Sequence, residues 1–191
     1  LNNDEPIEKL ANALEFAYDT LSGMGFSFNS RTYWPVEVTV KKLKSSVYGY
    51  STRYFPWTKN CGVLELNSGK MNEIDEIITT AGHEFFHLVQ DLYNSDDDYT
   101  WIAEATAVWF EGIMSKNSSY TSSIRAGHEL TPFNGLSPKP DGNHAHHGYG
   151  MSALIKYLVE KNGVHIVSKI YDQIKLDKSA GSAINLAHDD I

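Results

Sequence analysis

The chain has 191 residues, 41% of them hydrophobic and 21% charged, with a formal net charge of −8, which suits one domain whose core forms without disulfide help. The acidic balance and the lack of any basic stripe exclude a nucleic-acid-binding class, and no apolar run is long enough to span a bilayer. Cys61 is the one cysteine, which rules out an intrachain disulfide and a metal site built from several thiolates.

At the N-terminus, Leu-Asn-Asn-Asp-Glu-Pro has no basic region followed by an apolar stretch, so no signal peptide is expected. A start on Leu suggests an excised domain or a mature form. The richness in Asn, Ser, Thr and Tyr favours a secreted or cell-surface origin. Ile7, Leu10, Ala11, Leu14, Ala17, Tyr18 and Leu21 then recur at helical spacing over 6–21, and Gly23 and Gly25 end that helix. From Tyr33 to Ser68 the pattern turns to strands. Val36, Val38 and Val40 alternate with polar residues, and Val47–Tyr50 and Val63–Leu66 are β-rich runs broken by Pro56 and Gly62. Three or four short strands are expected, in one mostly antiparallel sheet.

Next, Ile74, Ile77, Ile78, Ala81, Phe85, Leu88, Val89 and Leu92 form one apolar stripe on a long helix. Asn94 to Asp98 reads as a polar loop, Thr100 to Met114 as a second helix, and Ser122 to Leu130 as a short third one. Thr131 to Gly148, with Pro132, Pro138 and Pro140, reads as a long loop of the kind that serves a site. Two last helices are expected over Met151–Asn162 and Val164–Leu176, with Gly163 as a C-cap between them. The fold class is α+β, with the sheet and first long helix in residues 1–93 and a helical lower part in 94–191.

The long helix carries the chemistry. His83 and His87, four residues apart, share one face, where two imidazole nitrogens can meet a single ion. Glu84 flanks that face and can take a proton from a water held there. The apolar stripe at Ala81, Phe85, Leu88 and Leu92 lies opposite, so core and cleft sides agree. A catalytic zinc needs a third protein ligand. A metzincin would place Gly at 90 and His at 93, where this chain has Gln90 and Tyr93. The next helix offers Glu104 among the small residues Ala103, Ala105 and Ala107, which would let a neighbouring helix approach closely. Asp98 and Glu111 are the competing acids. Glu111 reads either as an acceptor for a ligand histidine or as an exposed helix acid.

Residues 72 to 111 resemble the gluzincins, thermolysin-like metallopeptidases with a His-Glu-x-x-His helix and a downstream glutamate ligand. Trp101-x-x-Glu104-Ala-x-Ala-x-Trp109-x-Glu111 is similar to their glutamate helix. Tyr149 to Gly163 is more loosely similar to a helix that follows it. The resemblance implies a zincin-like fold in a minimal catalytic domain, Zn2+ held by His83, His87 and Glu104, and Glu84 as general base. It also implies that the segment Cys61–Ser68 is an edge strand along which substrate lies near Val63–Leu66. The sixteen residues between His87 and Glu104 are fewer than in thermolysin and require a short connection.

Amide hydrolysis also needs a group that stabilises the developing oxyanion. The segment Asn143 to Gly150 holds His144, His146, His147 and Tyr149, and the resemblance points to Tyr149 first and His147 second. The alternative is that Tyr149 packs or caps the following helix while the histidines are solvated, and such a cluster can take adventitious metal. Asp96-Asp97-Asp98 lacks the spacing of a calcium loop and reads as a solvated acidic turn. His128, His165 and His188 read as surface or packing residues. Trp34 and Trp57 fit core and rim packing at least as well as a ligand groove.

The function expected is zinc-dependent endopeptidase action on a peptide or protein substrate by a monomer, with flanking domains possible in a longer chain. One alternative is an aminopeptidase, against which the chain lacks a Gly-x-Met-Glu-Asn type segment for a free amino terminus. Another is an inactive relative that binds a surface protein or glycan, against which the intact Glu84 speaks.

Overall fold

The computed structural model describes residues 4–53, 62–115 and 144–189. Helix α1 (Asp4–Gly23) leads into three strands, β1 (Glu37–Lys41), β2 (Gly49–Arg53) and β3 (Gly62–Asn67). Helix α2 (Ile74–Gln90) and helix α3 (Thr100–Met114) follow, joined through a 3-10 turn at Asp97–Tyr99. After them come α4 (His144–Asn162), α5 (Ile166–Ile174) and α6 (Ala180–Asp189). The architecture is α+β. The expected helix over Ser122–Leu130 lies outside the described residues, as do Trp57, Cys61 and His128.

The sheet corrects two expectations. Its strand order is β1-β3-β2, with β1 parallel and β2 antiparallel to β3, so it is mixed rather than mostly antiparallel. Val63–Leu66 therefore forms the central strand, and β2 is an edge strand among the described residues. The burial pattern explains the position of β3. Val63, Leu64, Leu66 and Asn67 are all buried, as a strand flanked by neighbours on both sides requires. Leu66 packs with Leu10 of α1 and with Ile77 and Ala81 of α2, against which Val38 and Val40 of β1 also lie. The two helices thus cover one face of the sheet.

The chain leaves α1 through Gly25 at φ +99°, with the Phe26 amide hydrogen-bonded back to the Leu21 carbonyl at 3.1 Å. One cluster of buried side chains then runs from Ala17 to Ala187, so the sheet, α2 and the C-terminal helices share a core. Two glycines mark where helices approach most closely. A Cβ on Gly82 of α2 would stand 2.4 Å from Met114 of α3, and one on Gly148 of α4 would stand 2.4 Å from the Trp101 carbonyl and 2.5 Å from the Glu104 Cβ. Gly148 is why the expected loop end is wrong. His144–Gly148 is the first turn of α4, and its glycine serves contact with α3 rather than a break in the helix. Helix α6 falls in a segment to which the sequence pattern assigned no element. Among the described residues no helix is long and apolar enough to cross a membrane.

Candidate metal centre

Helix α2 presents His83 and His87 on the side away from Phe85, which is buried in the core. Their Nε2 atoms are 3.0 Å apart. The Glu104 Oε2 from α3 lies 3.3 Å from the first and 3.5 Å from the second. The close α2–α3 packing at Gly82 brings the two helices together, and the contact of α4 at Gly148 bears directly on Glu104.

Both imidazoles are oriented from behind. His83 Nδ1 lies 2.7 Å from Glu111 Oε1, and Glu111 is buried. A carboxylate oxygen accepts, so the proton of His83 sits on Nδ1 and the lone pair of Nε2 points to the cluster. His87 Nδ1 lies 2.7 Å from Gln90 Oε1 and by the same reasoning donates to it. The Gln90 amide in turn donates to the Ala103 carbonyl at 3.0 Å and to Thr106 Oγ1 at 2.9 Å, and Thr106 Oγ1 is 2.9 Å from the Tyr171 hydroxyl of α5. The other competing acid, Asp98, is exposed on the turn before α3, where its amide donates to Asp96 Oδ1 at 3.1 Å.

Three lone-pair atoms therefore converge with no proton assigned between them. Glu104 Oε2 is buried and without a hydrogen-bond partner. Such an arrangement repels itself unless a cation occupies the centre. Zinc bonds of about 2.0–2.1 Å at tetrahedral angles would separate ligand atoms by about 3.3 Å, which the three observed separations bracket. The three donors could hold a metal ion.

With no ion at the centre, the neighbouring carboxylates favour the protonated imidazoles. Burial alone would lower the His83 imidazole, but the carboxylates of Glu104 and Glu111 outweigh it and hold that group well above its ordinary value. His87 is raised more modestly, burial again being overcome mainly by Glu104. Burial works to raise the Glu104 carboxyl, but the two imidazoles hold it far below the usual carboxylate range.

These groups line a cleft of about 560 Å3, with the stretch from Ser46 to Ser51 as its roof and α2 as its floor. Comparison with protein-family models, with characterised proteins and with solved structures gives no match.

Glu84 lies in the cleft and is tethered to the edge strand. Its Oε2 accepts from the Ser51 amide at 2.8 Å and from the Ser51 hydroxyl at 3.0 Å. The sequence carries no signal for Ser51, a polar residue on a short strand with no spacing that ties it to Glu84. For Gln90 the sequence does carry a signal, because its three-residue offset from His87 places the two side by side on a helix. Tyr149 also lines the cleft. Burial, then the charges of Glu104, Glu84 and Glu111, push its phenol above the ordinary range, so it remains a neutral hydroxyl donor.

His147 does not line the cleft. It is buried against Trp101, ring centroids 5.6 Å apart, at the α3–α4 contact. The reason is helical phase, since one residue on a helix turns a side chain by about 100°. The side chains of His144 and His146 lie outside the described residues. His165 and His188 are exposed. Trp34 meets Tyr18 edge-on and Phe28 at a tilt, and lines a separate apolar cavity with Leu64 and Phe85.

Proposed function

We propose that the chain is a zinc-dependent metalloendopeptidase that works as the gluzincins do. The observation that carries this reading is the convergence of His83, His87 and Glu104, each imidazole braced from behind, beside the carboxylate of Glu84 in one cleft.

When bound, the ion would supply Lewis acidity, polarising the scissile carbonyl and acidifying water. Glu84 removes a proton from the attacking water and delivers it to the leaving amine. Ser51 holds one oxygen of that carboxylate in place and leaves the other for the proton. The Tyr149 hydroxyl donates to the carbonyl oxygen as negative charge develops there. The edge of β2 offers backbone groups to an extended peptide, in place of the central β3 expected from the sequence.

The test is incubation of zinc-loaded protein with a peptide library, with and without chelator, alongside Glu84→Gln. Wild type should cut internal bonds in a chelator-sensitive manner, and the variant should keep its zinc and lose nearly all activity. Full activity in Glu84→Gln removes that residue from the reaction. A zinc-loaded wild type that binds peptides without cutting them favours the inactive binding module instead.

A further inference from the structure

Among the described residues, the cleft lining contains four carboxylates, those of Glu76, Glu84, Glu104 and Glu111, and no lysine or arginine. A divalent ion would balance two of those charges, so the described lining remains acidic even when loaded. Three of the four have tasks already described: Glu104 faces the ion, Glu111 braces His83, and Glu84 is held by Ser51. Glu76 has none. It is half-buried, and among the described residues its carboxylate makes no hydrogen bond or ion pair. Nearby Glu73 is compensated by Lys70 at 3.1 Å, whereas Glu76 is not. Burial, then the charges of Glu111, Glu73 and Asp75, raise its carboxyl, which is the environment in which an incoming cation gains most.

Glu76 precedes His83 by seven residues on one helix, about 10 Å at 1.5 Å per residue. The wall between them is made of Thr79 and Thr80, side chains short enough to leave a trough. Strand β2 runs beside α2 in the same sense, Gly49 near Thr80 and Ser51 at Glu84. An extended peptide on β2 rises about 3.3 Å per residue. Glu76 therefore stands about three residues along such a chain from the ion, within reach of a long side chain.

We propose that Glu76 is a specificity-determining residue that receives a lysine or arginine side chain two or three residues from the bond cut, making the substrate class basic peptides. This rests on the peptidase reading. A half-buried pair of this kind is worth about fivefold or more in discrimination.

The test uses blocked alanine-based peptides carrying lysine, norleucine or glutamate at each position in turn. With zinc-loaded wild type, lysine at one position two or three residues from the cut should raise kcat/KM at least about fivefold over norleucine. Glu76→Gln should abolish that preference, and Glu76→Lys should turn it toward glutamate. A wild type that cleaves without favouring lysine there, or a preference that survives in Glu76→Gln, overturns the proposal and leaves the peptidase reading intact. Absence of any cleavage defeats the peptidase reading instead, and binding then decides separately. The same peptides are titrated against zinc-loaded Glu84→Gln and the Glu76→Gln/Glu84→Gln double variant. Tighter binding of lysine than norleucine that disappears with Glu76→Gln supports the subsite, and equal binding overturns it.

Discussion

The two histidines of the centre look alike from the cleft and differ behind it. His83 is backed by the buried carboxylate of Glu111, one contact from the neighbouring helix. His87 is backed by a neutral amide whose own position depends on Ala103, Thr106 and, through Thr106, Tyr171 of α5. The first support is a charge-assisted pair that increases the basicity of its imidazole directly. The second is a chain of neutral bonds that mainly fixes orientation. Were the centre to take up a metal, it would have one ligand of each kind, one electron-rich and one held rigidly to the fold.

The largest expected effect removes what both imidazoles face. Glu104→Ala should weaken zinc binding beyond the roughly hundredfold that an outer hydrogen-bond partner contributes, measured by competition with a chromogenic chelator. Unchanged zinc content would point to another ligand. The supports come next and should separate. Glu111→Ala should cost on the order of a hundredfold in zinc affinity and Gln90→Ala about tenfold. Glu111→Gln, which keeps an acceptor but makes the two supports alike, should fall near the Gln90→Ala value. Equal losses for Glu111→Ala and Gln90→Ala would erase the distinction.

The metal-free protein sharpens the comparison through pH. Both imidazoles are raised above the ordinary 6.5, His83 the more, and Glu104 is held below its ordinary 4.5. Stability from the raised histidines is complete below pH 6.5 and is lost as pH climbs through their folded values. Stability from Glu104 is complete above pH 4.5 and is lost as pH falls through its folded value. Metal-free Tm should therefore peak between those limits and decline toward pH 9, while zinc affinity rises over the same range because the ion displaces protons. A metal-free Tm that increases from pH 6 to 9 contradicts the protonated centre. Glu111→Gln should flatten the alkaline decline more than Gln90→Ala does.

The smallest effect comes from packing. Gly148→Ala would press a methyl group against the Trp101 carbonyl and Glu104, costing about 1–3 kcal/mol. A lowered Tm with weakened zinc binding is expected, and an unchanged Tm would show that α4 has room to withdraw.

Helices α1, α2 and α3 were legible because each has an apolar stripe or small-residue face at helical period, and the pair His83–His87 stood out on the face opposite such a stripe. The order of the strands was not legible. Val63–Leu66 reads the same whether it is central or at an edge until its partners are known, and the last strand before a helix carries no mark of its place in the sheet. The start of α4 was hidden because Gly148 breaks a helix in isolation, while contact with α3 makes its missing Cβ necessary. Ser51 and Glu76 had no motif to announce them. Each acquires meaning only when β2 is laid along α2, a juxtaposition written in tertiary packing rather than in spacing.

The most direct test is an anomalous-scattering map recorded at the zinc edge from crystals of zinc-loaded protein. The account predicts one strong peak about 2.0–2.1 Å from His83 Nε2, His87 Nε2 and a Glu104 carboxylate oxygen, with Glu111 and Gln90 behind the two rings. A peak elsewhere on the chain, or ligands that leave out Glu104, would contradict it.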